Sequence, residues 1–415
     1  MRVLILTQYY LPEIGAPQTR LAAFARELRR RGHAVEVVTA MPHHLVGRVY
    51  RGYRRKLYMR ESIDGVDVHR TWVYAATGTG LRRIWNYLSF ALTSMIGLFR
   101  ARRPDVVFVE SPPLFLSIPG WIAARFYRSA LVFNVADLWP DSVRELGVMR
   151  DGFALRMAAC LEAWSYRRAD IVNAVTEGIA AVLQQKGVPR SKIAFLPNGI
   201  DVDAFVPRSF DAALAKQLDL GEKPIFIYAG THGIAQGLHH VVDAAAEVRD
   251  DAYVLFVGSG PTKPMLVERA KRADAINAVF VDAVALSAMP RYLSLAVASI
   301  VPLVRTPLMA GARPSKIFPA LACGVPVLYC GEGESARLLA SAGAGLVVPP
   351  EDPAGLAAAM RRLIADPELR NQMSLRARML AVERFAWSSI VEDWLQRSGL
   401  EPAAGSAGAR CQIPS

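Results

Sequence analysis

Residues 2–39, RVLILTQYYLPEIGAPQTRLAAFARELRRRGHAVEVVT, are the stretch from which the fold can be read. Arg2 to Thr7 is a short apolar run without alternation, the pattern of a parallel strand buried on both faces. A loop bearing Pro and Gly follows. From about Thr19 to Arg31 the period becomes helical and places Leu21, Phe24, Ala25 and Leu28 on one face. Gly32 stops that helix, and Ala34 to Thr39 is a second apolar run. Strand, helix and strand make a βαβ unit, and Gly15 stands in the loop after its first strand, where open α/β sheets bind ligands. The loop has no G-x-G-x-x-G, so a dinucleotide fingerprint is absent.

The same alternation continues downstream. Asp105 to Glu110, Leu131 to Val135 and Ile171 to Val175 are further buried strands, with a helix near Leu155 to Arg168 between the last two. At Phe195 to Pro207, FLPNGIDVDAFVP, the Asn198-Gly199 pair signals a tight turn, and the polar, Ala-rich stretch after it reads as a linker. The pattern then restarts with Ile225 to Tyr228, a helix at 238–249, Tyr253 to Val257, the loop GSGP and Ala278 to Val281. A chain of 415 residues is too long for one ordinary core. The expected organisation is α/β, with two Rossmann-like domains facing across a cleft: 1–205, a linker at 206–222, and 223–380.

Composition narrows the function classes. With 52% hydrophobic and 21% charged residues the chain is globular. Cys160, Cys323, Cys330 and Cys411 stand far apart without metal-ligand spacing, so they read as reduced thiols. The opening run is a strand followed by polar residues, which predicts a cytosolic chain without a signal peptide. Residues 1–103 hold 18 Lys and Arg against 6 Asp and Glu, an excess equal to the +12 of the whole chain. Such a basic half points to an anionic partner: nucleic acid, a membrane surface or a phosphorylated substrate. Residues 41–60 mix aromatics with six basic side chains and read as a long surface loop, but no nucleic-acid module is recognisable. Ile84 to Phe99 is an uncharged run flanked by arginines, too short to cross a bilayer. Asn86, Ser89, Thr93 and Gly97 fall on one stripe of it, opposite Trp85, Leu88, Leu92, Met95 and Phe99. It fits either a helix in the membrane interface or one packed on a sheet.

The chemistry is expected at 311–326, GARPSKIFPALACGVP. Pro314 and Ser315 predict a helix start, with Ser315 as N-cap and an apolar helix after it. Unpaired N–H groups at a buried helix start suit a phosphate, and Lys316 adds a charge where the dipole disfavours one. In the first half, Asp137 and Asp141 of ADLWPD follow a strand's carboxyl end and are site candidates, although Asp141 also fits a helix N-cap.

Taken together, YAGTHGIAQG at 228–237, PNGID at 197–201, VGSGP at 257–261, Met289-Pro290-x-Tyr292-Leu293, RPSKIF at 313–318, DLWPDS at 137–142 and YRRAD at 166–170 resemble bacterial glycosyltransferases of family 4. The branch most similar is that of WbuB-like fucosamine transferases of O-antigen, capsule and exopolysaccharide synthesis. The resemblance runs from Met1 to about Trp394. It implies the GT-B fold, a nucleotide-sugar donor held by the C-terminal domain, an acceptor held by the N-terminal one, and transfer with retention and without a metal or other cofactor. It also implies a closing helix, 381–398, that returns to the first domain; 399–415 reads as a disordered tail. Where many members carry an Arg and a Lys after the second domain's first strand, this chain has Thr231 and Gln236. Where many carry two glutamates eight positions apart, it has Gly311 and Pro319.

These departures redistribute the expected roles. Lys316, Arg313, Ser315 and the N–H groups after Pro314 would neutralise the leaving diphosphate, with Gly15, Gly230, Gly233 and Gly311 admitting it closely and His232 donating to a phosphate or sugar hydroxyl. Asp137 would orient or deprotonate the acceptor hydroxyl, with His43, His44 and Asp141 on the acceptor side. The expected partners are a UDP-, GDP- or dTDP-sugar and an undecaprenyl-diphosphate-linked glycan at the cytosolic surface of the inner membrane, not nucleic acid. An inactive scaffold and a sugar-nucleotide epimerase are the rival readings.

Overall fold

The computed structural model describes residues 1–400 apart from 14, 45–46, 77–79, 142–143 and 145–151. Cys411 and the tail from 401 lie outside the described residues. The chain divides into two compact units, Met1–Asn198 with the chain from Ile390 on, and Gly199–Ser389.

The first unit contains β1 (Arg2–Leu6), β2 (Ala34–Ala40), β3 (Tyr58–Ile63), β4 (Val66–Thr71), β5 (Val106–Ser111), β6 (Ala130–Val135), β7 (Ile171–Ala174) and β8 (Ile193–Phe195). They form one sheet in the order β3-β4-β2-β1-β5-β6-β7-β8. Every pairing is parallel except β3 with β4. Parallel strands need helical crossovers, so both faces are covered and the strands read as continuous apolar runs. The crossovers are α1 (Ala16–Arg30), α2 (Leu81–Arg100), α3 (Ser117–Tyr127), α4 (Phe153–Arg168) and α5 (Glu177–Gln185). On one face Leu4, Leu6, Val38, Val107, Val109 and Phe133 meet residues of α2, α3 and α4. On the other, Phe108 meets Phe24 of α1 and Trp394, whose ring centroid lies 5.3 Å from that of Phe24.

The hairpin β3-β4 corrects the reading of 41–60 as loop throughout, since its last residues begin β3. Its turn, Asp64-Gly65, has φ of 50° and 73°, the two-residue turn that matches strand twist. The second unit contains β9 (Ile225–Ala229), β10 (Tyr253–Val257), β11 (Ala278–Val281), β12 (Ala298–Pro302), β13 (Val327–Cys330) and β14 (Gly345–Val348) in the order β11-β10-β9-β12-β13-β14, all parallel. Around it stand α6 (Ala212–Gln217), α7 (Leu238–Glu247), α8 (Lys263–Arg272), α9 (Ile317–Ala322), α10 (Glu334–Ala342), α11 (Pro353–Ala365) and α12 (Pro367–Leu380). The segment 206–222 is more than a linker. Asp211 caps α6 by accepting from Leu214 N at 2.9 Å, and Leu214 and Ala215 join the core. A last helix, α13 (Trp387–Ser398), sends Trp394 into the first unit, where its Nε1 donates to Asn173 Oδ1 at 2.9 Å.

Helix α2 packs on the sheet through a mixed face. Phe90 and Leu98 are fully buried beside Asn86 and Ser94, while Trp85 and Leu92 are 62% and 75% exposed. Asn86 is the bolt: Oδ1 accepts from Gln8 Nε2 at 2.7 Å, and Nδ2 donates to Tyr74 O at 2.7 Å. Gly97 allows the close approach, since a Cβ there would lie 2.8 Å from Val38 Cγ1. Gly97→Leu is therefore expected to overpack this contact and cost about 1–3 kcal/mol, seen as a lower urea midpoint. Leu92→Ser on the outward face should leave the midpoint within about 0.5 kcal/mol.

Candidate functional site

Because β9 and β12 are neighbours whose connections leave in opposite directions, the loops after them flank a topological switch point, the usual ligand position in an open α/β sheet. The first of these loops, 230–237, is fixed by its neighbour. Gly230 N donates to Val257 O, His232 N to Ser259 O, and Thr262 N to His232 O, at 2.9, 3.0 and 3.1 Å. Gly258, at φ 149°, leaves no room for a side chain: a Cβ would stand 1.9 Å from Gly230 O.

The second loop delivers Lys316. Its Nζ lies 5.5 Å from the centroid of the Tyr228 ring, and its Cε is 3.0 Å from where a Gly230 Cβ would be. Burial lowers the ammonium to about 8, and no carboxylate among the described residues offsets that. Helix α9 starts one residue later than expected. Lys316 holds the N-cap without a side-chain cap bond, and Ser315 is exposed in the preceding turn. The other end of α9 is conventional: Arg378 Nη1 donates to Ala322 O at 2.7 Å, where the helix dipole favours a cation. Lys316 thus sits against both dipole and desolvation. Pro319 falls in the first turn of α9, where its missing N–H is not needed, so the helix is intact. Gly311 lies in the turn ahead of it.

Arg313 and His232 have other surroundings than expected. Arg313 Nη2 donates to Glu334 Oε1, both side chains being 6% exposed, and the guanidinium lies over the Phe385 ring. Arg313 is therefore bound to a carboxylate, and Glu334, at the start of α10, was not foreseen. His232 is fully buried beside Tyr228 and Phe256, and burial lowers its pKa to about 4. It is a neutral ring beneath the loop, while its backbone holds the loop together. Gly233 follows it at the loop surface.

In the first unit, Gly15 precedes α1 as its N-cap. Glu13, also missed, organises the loops around it: Oε1 accepts from His43 N and His44 N, both at 2.7 Å. Burial raises its pKa against these bonds. His43 is a structural group, with Nδ1 2.9 Å from Met41 O, Nε2 3.0 Å from Asn86 Nδ2, and a pKa lowered by burial. His44 is partly buried, its ring 4.7 Å from that of Tyr9. Asp141 belongs to an ion network, 2.5 Å from Arg144 and 2.7 Å from Lys186, which also reaches Glu162. Asp137 lies exposed on the turn after β6. No described contact joins these aspartates to His43 or His44. Among the described residues no cluster of His, Cys, Asp or Glu is arranged to hold a metal.

Residues 15–199 match the glycosyl transferase 4-like domain, and residues 210–379 match glycosyl transferases group 1. The chain belongs to the family 4 glycosyltransferases, with both of their domains in order. It is 27% identical over 381 residues, 89% of this chain and 93% of the other, to a protein of Escherichia coli K12 described as a colanic acid biosynthesis glycosyl transferase, WcaI. Solved structures share the GT-B fold. Sucrose-phosphate synthase of Thermosynechococcus elongatus has a TM-score of 0.75 at 18% identity, covering 95% of this chain and 97% of its own. Anabaena HepE, solved with UDP and glucose, has 0.71 at 18%, covering 95% and 98%.

The Arg313–Glu334 pair is testable apart from function. Glu334→Gln leaves a buried guanidinium without its counter-charge and should cost about 3–5 kcal/mol, lowering the melting temperature by about 6 °C or more. Glu332→Gln, which removes an exposed partner of Arg305, should cost at most about 1 kcal/mol.

Proposed function

We propose that this transferase moves a sugar from a nucleotide-sugar donor, held by the second unit, to a lipid-diphosphate-linked glycan held by the first, during surface polysaccharide synthesis. The observation that carries the reading is Lys316, an ammonium with no carboxylate beside it among the described residues, next to Gly230 at the switch point of the second sheet. A group held there at such cost is stabilised once an anion arrives, and a departing nucleoside diphosphate is that anion. HepE was solved with UDP and glucose, which supports a nucleotide-sugar, and WcaI carries a polysaccharide assignment. The nucleoside diphosphate is UDP, GDP or dTDP, and an N-acetylated deoxyhexose such as FucNAc is the sugar class suggested by the WbuB-like resemblance.

In the proposed reaction the bond from the anomeric carbon to the diphosphate breaks, and the acceptor oxygen bonds to that carbon with retained configuration. The diphosphate leaves with its charge met by Lys316 in place of a metal, and the N–H groups around 314–317 assist. Asp137 is the proposed group for orienting the acceptor hydroxyl, whose proton it or the departing phosphate takes. The acceptor is an undecaprenyl-diphosphate-linked glycan, reached from the cytosolic side of the inner membrane, where the basic first unit faces anionic headgroups.

Thermal stabilisation by UDP, GDP and dTDP, with a chelator present, tests the donor site. One of them at about 100 times its Kd adds about 2.7 kcal/mol to stability, or about 5–10 °C. The sign of the pH dependence follows from Lys316. It is protonated below about 8 and loses its charge above, so affinity should fall up to tenfold per unit as pH rises through that value. Lys316→Met should abolish the stabilisation and flatten the pH profile. A wild-type response and wild-type sugar transfer in Lys316→Met would refute the phosphate role; no response to any nucleotide, with no transfer, would favour an inactive scaffold.

A further inference from the structure

We propose that the outward faces of α2, α3 and α4 form one docking surface for an anionic phospholipid bilayer, a partner inferred on the reading of a lipid-linked acceptor. Helix α2 buries Phe90 and Leu98 in the core and carries a second apolar stripe that points away from it. Trp85, Leu92 and Phe99, spaced seven apart on one helix face, are 62%, 75% and 43% exposed. Helix α3 continues the surface with Ile118 and Phe126, 43% and 66% exposed, and α4 with Met157, 53% exposed. The helices are joined edge to edge. Phe99 and Phe126 meet with ring centroids 5.0 Å apart, and Trp121 of α3 meets Trp164 of α4 at 5.5 Å. Single exposed apolar residues are ordinary, but a connected sheet of them across three helices marks an interaction surface.

Charge selects the partner. Helices α2 and α3 contain no Asp or Glu, and the one acidic residue of α4, Glu162, is buried against Lys186. Arg82, Arg125 and Arg156 are exposed on the same three helices, and none pairs with a carboxylate among the described residues. Arginines around an apolar centre match phosphate headgroups above acyl chains. A second copy of the chain fits poorly, because a two-fold interface places each patch on its own kind and arginine against arginine. No helix of the described residues is long and apolar enough to cross a membrane, so the contact lies along the bilayer surface.

The test is co-sedimentation of the full chain with phosphatidylcholine vesicles with and without phosphatidylglycerol. Binding is expected with phosphatidylglycerol, weaker in high salt. Leu92→Glu and Phe126→Glu should each reduce it about tenfold or more, and Arg125→Ala about fivefold. Ile276→Glu, at a 77% exposed position in the second unit, should leave it unchanged. All four variants should keep the wild-type melting temperature and donor hydrolysis, so loss of vesicle binding and failure of the transferase reading are separate results. No binding to either vesicle, or equal binding by Leu92→Glu, overturns the proposal. So does a dimer that Leu92→Glu dissolves while the wild-type chain ignores vesicles.

Discussion

Parallel pairing is the constraint on which the rest of this structure depends. A parallel strand cannot return through a tight turn, so the chain crosses over each sheet and starts every strand but β3 from the same edge. Apart from that of β3, the carboxyl ends then lie on one edge of each unit, and the loops after them are placed to host the chemistry. Where neighbouring strands send their connections in opposite directions, the loops part and leave space. In the second unit that happens between β9 and β12, and Gly230 and Lys316 occupy its two sides. Their meeting follows from the strand order, because 86 positions of sequence separate them.

What occupies this position is a local conflict. Arg378 at the carboxyl end of α9 gains from the dipole and from three backbone carbonyls, of Phe205, Ala322 and Val202. Lys316 at the amino end gains from neither. A helix start and a lysine repel each other while no ligand is present; once an anion binds, both attract it. Arg313 shows the alternative outcome. Its charge is met by Glu334 within the protein, which makes it a structural group holding α10 to the segment before α9, and leaves Lys316 as the cation facing the loop.

Burial on both faces leaves uninterrupted apolar runs, and β1, β2, β5, β6, β7, β9 and β10 lie within about a residue or two of where those runs place them, as does β11, a half-buried edge strand; β4, β8, β12, β13 and β14 were not read from the sequence. Strand β3 was not legible, because it is half exposed and YMRESI lacks such a run, although Asp64-Gly65 advertised its turn. The segment 206–222 was polar enough to hide α6, whose burial rests on Leu214 and Ala215 alone. In the site, Lys316 was legible from its misplacement at a helix start. Glu13 and Glu334 were not, since each takes its meaning from residues 30 and 21 positions away. His232 shows the same limit from the other side. Its place in the loop after β9 suggested a donor to a phosphate or sugar hydroxyl, while packing against Tyr228 and Phe256 buries the ring.

Helix α2 departs in part from the ordinary inference from amphipathicity. A helix with one apolar and one small polar face normally buries the apolar one, since that removes most hydrocarbon from water. Here Phe90 and Leu98 go inward as expected, but Asn86, Ser94 and Gly97 go with them, because Asn86 finds partners in Gln8, Tyr74 and His43 and Gly97 admits Val38. Satisfied hydrogen bonds and close approach make the polar face a workable core surface. The hydrocarbon left outside is then unfavourable in water, and among the described residues no carboxylate pairs with the neighbouring Arg82, Arg125 and Arg156. At an anionic bilayer surface each becomes a source of binding, and the bolt at Asn86 that turns the helix outward is also the contact that ties it to His43 and the loop after β1.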